Sequence, residues 1–459
     1  MTTPLTAQTQ QSEVMRLVSV TIPAPGASLP AMLAHGAGQA RLYWDHAHES
    51  IGFAGVGAVV DLSAWGADRF AAIHQQARTL FADAIIDTPH PLAAPRLFGG
   101  FAFRDDFVPD NTWVDFAPAQ MLLPHYQLTR VGSDHYLTLN AQIPAGEDAA
   151  PLVDELRRML ADRAQALRAA SMRPVTATPV QVNYPMTRQH WESIITRATQ
   201  RIRSGDLNKV VLARVAEIRF DERIALEPTM AYLEKNYPST YRFVFEPRPR
   251  VAFFGATPET LVKVAGETLT TMALAGSIRR GATDDENNAL VRQLLGDRKE
   301  RYEHQIVIDR IAQRLAPLAA DVEIDETGVL ALPNIQHLYT PIQAVLRQPD
   351  GVLPVLEQLH PTPALGGDPA DIALQVIAES EPVPRGWYGA PVGWMDHQLD
   401  GHFAVAIRSG VAQDRRVWVY AGCGVVADSQ PDKEWNETAL KFRAILHALG
   451  VEKDLRYES

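Results

Sequence analysis

Two rhythms of apolar residues alternate along this chain. Thr187 to Arg203 places Trp191, Ile194, Ile195, Ala198 and Ile202 at helical spacing, and Gly205 follows where a C-terminal cap belongs. Asp148 to Ala170 repeats the rhythm with Leu152, Leu156, Leu160 and Leu167. KVVLARVAEIRF at 209–220 is instead rich in β-branched residues and predicts a strand. Further strand-like runs are YRFVFE, VAFFGA, ETLTTMALAG, HFAVAIRS and RVWVYAGCGVV, with helical segments at about 285–316, 369–379 and 431–448. Upstream, residues 50–145 mix short apolar runs such as LFGGFAF (98–104) with Gly and Pro. They predict strands and loops, with one helix near Trp65 to Asp83. Residues 171–186 carry three prolines and read as a connector where a domain boundary could fall. The polar, Gln/Thr-rich start predicts a loose segment up to about Glu13. Strands with uneven helical insertions point to an α+β fold rather than a regular βαβ series.

Composition narrows the function. The chain has 459 residues, 46% of them hydrophobic and 21% charged, which suffices for a large core. The net charge of -11 argues against nucleic acid or an anionic membrane as partner. Cys423 is the only cysteine, so neither a disulfide framework nor a cysteine metal cluster is available. The N-terminus lacks a cationic region followed by an apolar run, and Ile51 to Val60 is too short to span a bilayer, so a cytoplasmic protein is expected. GxGxxG and P-loop motifs are absent, which argues against a dinucleotide or nucleoside triphosphate site.

The chemistry sits in carboxylates and a few buried cations. KERYEH places Glu300 and Glu303 three apart, and KEWNET does the same for Glu434 and Glu437. On a helix such residues share a face, with Cβ atoms about 5–6 Å apart. Lys441 lies four residues beyond Glu437 on that face, and Ser429 and Pro431 mark the helix start. Each pair alone reads first as a solvated helix face. Four carboxylates brought together need a cation, and hard oxygen ligands without His or Cys suggest Mg²⁺. Lys209 opens an otherwise apolar strand, as an edge lysine or as a buried one whose proton desolvation would loosen. Glu259 follows the Gly-Ala-Thr-Pro run at 255–258; half buried there, it would have the raised pKa of a general acid. Arg408 ends the apolar run FAVAI. The GCG at 422–424 ends another strand, either as a plain turn or as backbone N–H groups facing an anion. His337 reads as a core histidine.

Taken together, KVVLAR, GATPE, LAGSIRRG, KERYEHQIV, HPTPALGG, RGWYGAPVGW, AIR, AGCGVV and EWNET resemble the chorismate-utilising enzymes. That family includes isochorismate synthases, salicylate synthases, anthranilate synthase component I and aminodeoxychorismate synthase. The strong motifs cover about 209 to 441. The resemblance implies one α+β domain over 1–459, with large antiparallel sheets packed face to face and helices outside. The motif-rich part would be 187–450, and 14–170 would complete the same fold. It also implies a cleft that binds chorismate with Mg²⁺. Glu303 and Glu437 would ligate the metal, with Glu300 and Glu434 behind them or acting through water. Tyr388, Arg408 and the Gly422 backbone would hold the enolpyruvyl carboxylate, and Lys441 with the metal the ring carboxylate. Gly276, Ser277 and His337 would line the ring. Aminodeoxychorismate synthases carry a lysine where this chain has Ala275, and anthranilate synthases have a glutamine-like residue at the Lys209 position. This chain therefore resembles the water-using members, with Lys209 as general base and Glu259 as general acid, giving isochorismate. A salicylate synthase is the alternative. No amidotransferase partner is expected when water is the nucleophile.

Overall fold

The computed structural model describes residues 15–169 and 177–451. The Gln/Thr-rich start and the first part of the proline connector lie outside the described residues.

Two large sheets form the frame. One has 13 strands and runs from the edge strand Pro179–Asn183 through Lys209–Phe220, Arg416–Val425, Ser409–Gln413, Val251–Thr257 and Tyr241–Arg248, then on to strands of residues 15–144. The other has 10 strands, with Ile335–Leu346, Thr268–Arg279, Thr260–Ala265, Gly401–Val405, Pro391–Asp396 and Arg96–Phe101 in adjacent order. Pairing is antiparallel except where Met15–Pro23 meets Ile85–Asp87. Strands from both halves of the sequence share each sheet.

The period-2 alternation of the strands decides which side chains lie between the sheets. Phe243, Phe245 and Phe253 point inward, where they pack with Phe98, Trp387 and Trp394 from the second sheet's side. Their neighbours Val244, Ala252 and Phe254 point outward onto the helices Leu29–His35, Ala150–Ala169, Leu226–Asn236 and Pro431–Ala448. Helices Arg69–Ala82, Arg298–Leu315 and Val352–Leu359 cover the far face of the second sheet. The fold is α+β, with antiparallel sheets face to face and helices outside.

Several expected elements shift for local reasons. The helical segment at 285–316 is two helices, Asp284–Gly296 and Arg298–Leu315. Asp297 breaks the run because its side chain accepts from the N–H groups of Lys299 and Glu300 and so starts a new helix. Thr187 caps the helix Arg188–Arg203 in the same way, through the N–H of His190. Part of the proline connector is the strand Pro179–Asn183, paired with 217–220. The GCG run is not a turn. It closes the strand Arg416–Val425 one residue short of its end, with Gly422 opposite Ala213 and Gly424 opposite Val211. No helix among the described residues is long and apolar enough to cross a membrane.

Candidate active site

The site forms where the chain crosses from one sheet to the other. Val251–Thr257 belongs to the first sheet and Thr260–Ala265 to the second, and Glu259 sits at the crossing. Gly401–Val405 and Ser409–Gln413 make the reverse crossing, with Arg408 in between. The crossings are tied together by backbone bonds, Val405 N–H to Glu259 C=O at 2.9 Å and Ala256 N–H to Arg408 C=O at 3.0 Å. Arg408 takes φ 48°, a left-handed conformation that costs a non-glycine residue about 1–3 kcal/mol and aims its side chain inward instead of along a strand.

A cavity opens beside these crossings. Of the residues singled out in the sequence, Glu259, Gly276, Ser277, Glu303, His337, Tyr388, Arg408, Gly422, Glu437 and Lys441 all line it. Glu300 and Glu434 do not; with Lys299 they line an adjoining, more open chamber that shares Ser277 and Glu437 with the first. Lys209 lies behind the cavity wall, fully buried, its Nζ 3.0 Å from Oε1 of Glu303 and without a hydrogen-bond partner of good geometry.

Gly276 adopts φ 77° at a bulge between Ala275 and Ser277, which brings Ser277 into register opposite His337. Ser277 Oγ is 2.9 Å from Nδ1 of His337, and Nη2 of Arg408 is 3.0 Å from Nε2 of the same ring. Burial, followed by the charges of Arg408 and Lys441, holds the imidazole well below its usual pKa.

Glu259 is fully buried, and its carboxyl is pushed up to about 8 by desolvation against the pull of Lys209, Lys441 and Arg408. The Glu303 carboxyl is also buried, but Lys209 and Lys299 outweigh desolvation and hold it below the ordinary value. Burial and the neighbouring Glu303 raise Glu300, whose Oε2 accepts from the N–H of Ser277 at 2.8 Å. Burial and Glu437 raise Glu434. Lys441 Nζ bonds Oε1 of Glu437 at 2.6 Å and the carbonyl of Gly422 at 2.9 Å.

The two paired glutamates that line the cavity, Glu303 and Glu437, offer only oxygen donors, the kind a hard cation takes. Gly424 keeps the space beside Glu303 open, since a Cβ there would overlap the carboxylate. No three or more His, Cys, Asp or Glu side chains among the described residues form a ready metal cage.

HPTPALGG, which the resemblance makes part of the wall around the ring, supplies Ala364 and Leu365 to the cavity lining; salicylate synthases tend to place a threonine at the Ala364 position. Sequence reasoning passed over two contributors. Lys299 stands inside the KERYEH motif but carries no expectation of its own. Glu381 accepts from the N–H of Ala213 at 2.8 Å and pairs with Arg385, which in turn donates to the carbonyls of Val211 and Leu365, each at 2.7 Å. This ion pair satisfies the edge of strand Lys209–Phe220 between its two short strand neighbours, 179–183 and 367–368. Its only sequence signal is a spacing of four outside any helix.

Comparison with known proteins agrees with this geometry. The profile described as chorismate binding enzyme matches residues 4–450. Isochorismate synthase MenF of Bacillus subtilis (strain 168) is 33% identical over 421 residues, covering 90% of this chain and 88% of the relative. The salicylate biosynthesis isochorismate synthase of Pseudomonas aeruginosa is 37% identical over 414 residues, covering 89% and 85%. Among solved structures, that of MenF, the menaquinone-specific isochorismate synthase from Escherichia coli, superposes with a TM-score of 0.77 at 27% identity and covers 95% of both chains. With a profile match over nearly its whole length and relatives aligned across about nine-tenths of it, this chain belongs to the chorismate-binding enzyme family.

Proposed function

We propose that this chain is an isochorismate synthase, converting chorismate to isochorismate with Mg²⁺ bound. One observation carries the reading. Glu259 is a fully buried carboxyl in the wall of a cavity that holds Arg408 and Lys441, and its pKa of about 8 keeps it protonated at neutral pH. A protonated carboxyl beside two cations can bind an anionic substrate and donate a proton to it.

Lys209 is the base in this reading. As the free amine it accepts a proton from the water whose oxygen bonds to ring C2. The ring double bonds shift, the C4–O bond breaks, and Glu259 gives its proton to the departing hydroxyl, which leaves as water. Water is therefore both taken up and released, and no net oxidant or reductant is needed. Arg408 and Tyr388 hold the enolpyruvyl carboxylate, and Lys441 meets the ring carboxylate. Glu303 and Glu437 would hold the metal, which supplies charge neutralisation and orientation for that ring carboxylate. Local Arg and Lys let a chain of net charge -11 take an anion.

The wall residue Ala364 bears on where the reaction stops. Its methyl offers no hydroxyl to steer the enolpyruvyl group toward pyruvate elimination. Purified protein given chorismate and Mg²⁺ at neutral pH should produce a chorismate–isochorismate mixture by chromatography. Salicylate and pyruvate accumulating in equal amounts would overturn the reading in favour of a salicylate synthase. No chorismate consumption at all would overturn both.

A further inference from the structure

Lys299, which the proposed chemistry does not use, joins the two helices that carry the paired glutamates. Its Nζ lies 3.1 Å from Oε1 of Glu300 on its own helix and 3.0 Å from Oε1 of Glu434 on the other. The remaining two carboxylates have separate partners, Lys209 for Glu303 and Lys441 for Glu437. Four carboxylates thus face three ammonium groups. The arrangement carries one negative charge in excess when all are ionised.

That balance has a consequence for the metal. With the cavity cation Arg408 counted as well, the site is neutral; a divalent cation would bring it to two positive charges in excess, and a dianionic substrate would return it to neutrality. The three lysines are not equivalent, however. Lys209 and Lys441 touch the glutamates that face the catalytic cavity, whereas Lys299 sits in the outer chamber with Glu300 and Glu434. It can keep both of its contacts while a metal occupies the inner pair.

We propose that Lys299 is a resident counter-ion that masks Glu300 and Glu434, holds the two helices together without metal, and weakens Mg²⁺ binding at Glu303 and Glu437. The proposal rests on the reading of the inner pair as the metal site. It assigns Lys299 a positioning and affinity-setting role; Lys299 does not itself touch the substrate.

The test is calorimetric titration of MgCl₂ into the full-length chain without substrate, together with thermal unfolding with and without Mg²⁺. Lys299→Gln should lower the metal-free unfolding midpoint, enlarge the rise that Mg²⁺ produces, and tighten Mg²⁺ binding on the order of tenfold, the effect of removing one like charge from a partly buried site. Lys299→Arg keeps the charge and should leave both readouts near wild type. The double variant Lys299→Gln/Glu434→Gln removes one charge of each sign. It should recover metal-free stability and bind Mg²⁺ within a few-fold of wild type, which keeps the proposal testable if the single variant does not fold. Unchanged or weaker Mg²⁺ binding in a folded Lys299→Gln would overturn the proposal. So would collapse of binding in the double variant, because Glu434 would then be a ligand rather than a masked group. Failure of the underlying reading looks different, since the wild type itself would then bind no Mg²⁺.

Discussion

Arg408 donates from Nη2 to Nε2 of His337 at 3.0 Å, and this bond fixes the state of the imidazole. A guanidinium has no acceptor, so Nε2 must carry the lone pair and Nδ1 the proton. Nδ1 then donates to Ser277 Oγ, which leaves the hydroxyl hydrogen of Ser277 free to point at a ligand. A histidine that reads as core packing in the sequence thus serves as a neutral spacer between a cavity arginine and a cavity hydroxyl.

The first prediction follows from that neutrality. His337 should contribute no inflection near pH 6.5 to the profile of kcat/KM, because its pKa is held well below that value. His337→Ala leaves the buried Arg408 guanidinium without its acceptor and should raise KM for chorismate about tenfold or more, on the scale of a lost hydrogen bond to a charged group. Steady-state kinetics between pH 5.5 and 9 check both, and a histidine-like inflection that vanishes in the variant would refute the tautomer assignment.

Lys209→Gln should lower turnover by about 10²–10⁴-fold, the usual scale of a lost general base. It also strips the buried Glu303 of its ion-pair partner, so a stability loss of about 3–5 kcal/mol is expected alongside. Lys209→Arg separates the two effects. It keeps a cation near Glu303 and should restore much of the stability, yet arginine cannot give up its proton and should not restore turnover. An active arginine variant would show that Lys209 serves only as a counter-charge.

Glu259 sets the alkaline limit. Its carboxyl is protonated up to about pH 8, so activity that needs an acid should fall above that pH. Glu259→Gln should lose about 10²–10⁴-fold in turnover. A pH-rate profile that stays flat from 7 to 10 in the wild type would exclude the acid role.

Acid should destabilise the fold through its buried histidines. Burial lowers His304 to about 4, His360 to about 3 and His402 to about 3, and His337 is lowered as well. Their unfolded value is about 6.5, so as pH falls through 6.5 the unfolded chain takes up protons that the folded one refuses. The stability these groups contribute is present above 6.5 and is lost as pH falls toward their folded values. Each contributes at most about 2 kcal/mol of that loss at pH 5. Glu259 acts in the opposite sense, stabilising below about 4.5 and losing that contribution as pH rises through 8, and the raised carboxyls of Glu300 and Glu434 act the same way. The four histidines outweigh these carboxyls between pH 5 and 6.5, so the unfolding midpoint should drop on acidification across that range. A midpoint that rises would contradict the assignment.

Much of this site was legible because its parts are short and contiguous. Lys209 heads a β-branched run, Glu259 ends GATPE, and the two glutamate pairs sit at helical spacing, so residue type and local period suffice to mark them. What escaped depends on distant partners. Lys299 gains its meaning only when Glu434, 135 residues away, is brought beside it. Glu381 and Arg385 matter because strand Lys209–Phe220 has an uncovered edge, which no local pattern reveals. The break at Asp297 was readable in principle, since Gly296 followed by Asp297 combines a helix stop with a cap. Reading GCG as a plain turn treats glycine as punctuation, whereas here it leaves room for another side chain.

Gly424 makes that last point testable. It lies inside a paired strand, and its φ is not in the left-handed region, so alanine is conformationally allowed there. The atoms that an added Cβ would crowd all belong to one side chain, the Glu303 carboxylate, with Cδ only 2.6 Å away. The end of a flexible glutamate can swing aside, but it cannot do so and keep its contact with Lys209 Nζ. Gly424→Ala should therefore cost stability on the scale of the broken Lys209–Glu303 pair, about 3–5 kcal/mol. Mg²⁺ binding should weaken at least tenfold and turnover should fall with it, because the displaced carboxylate leaves the position opposite Glu437 from which the metal would be held. Gly424→Ala combined with Glu303→Asp, whose shorter side chain withdraws from the new methyl group, should recover part of the Mg²⁺ affinity. Calorimetry on the two variants decides the matter: wild-type Mg²⁺ affinity in Gly424→Ala would mean that the Glu303 carboxylate, where this structure places it, is not part of the metal site.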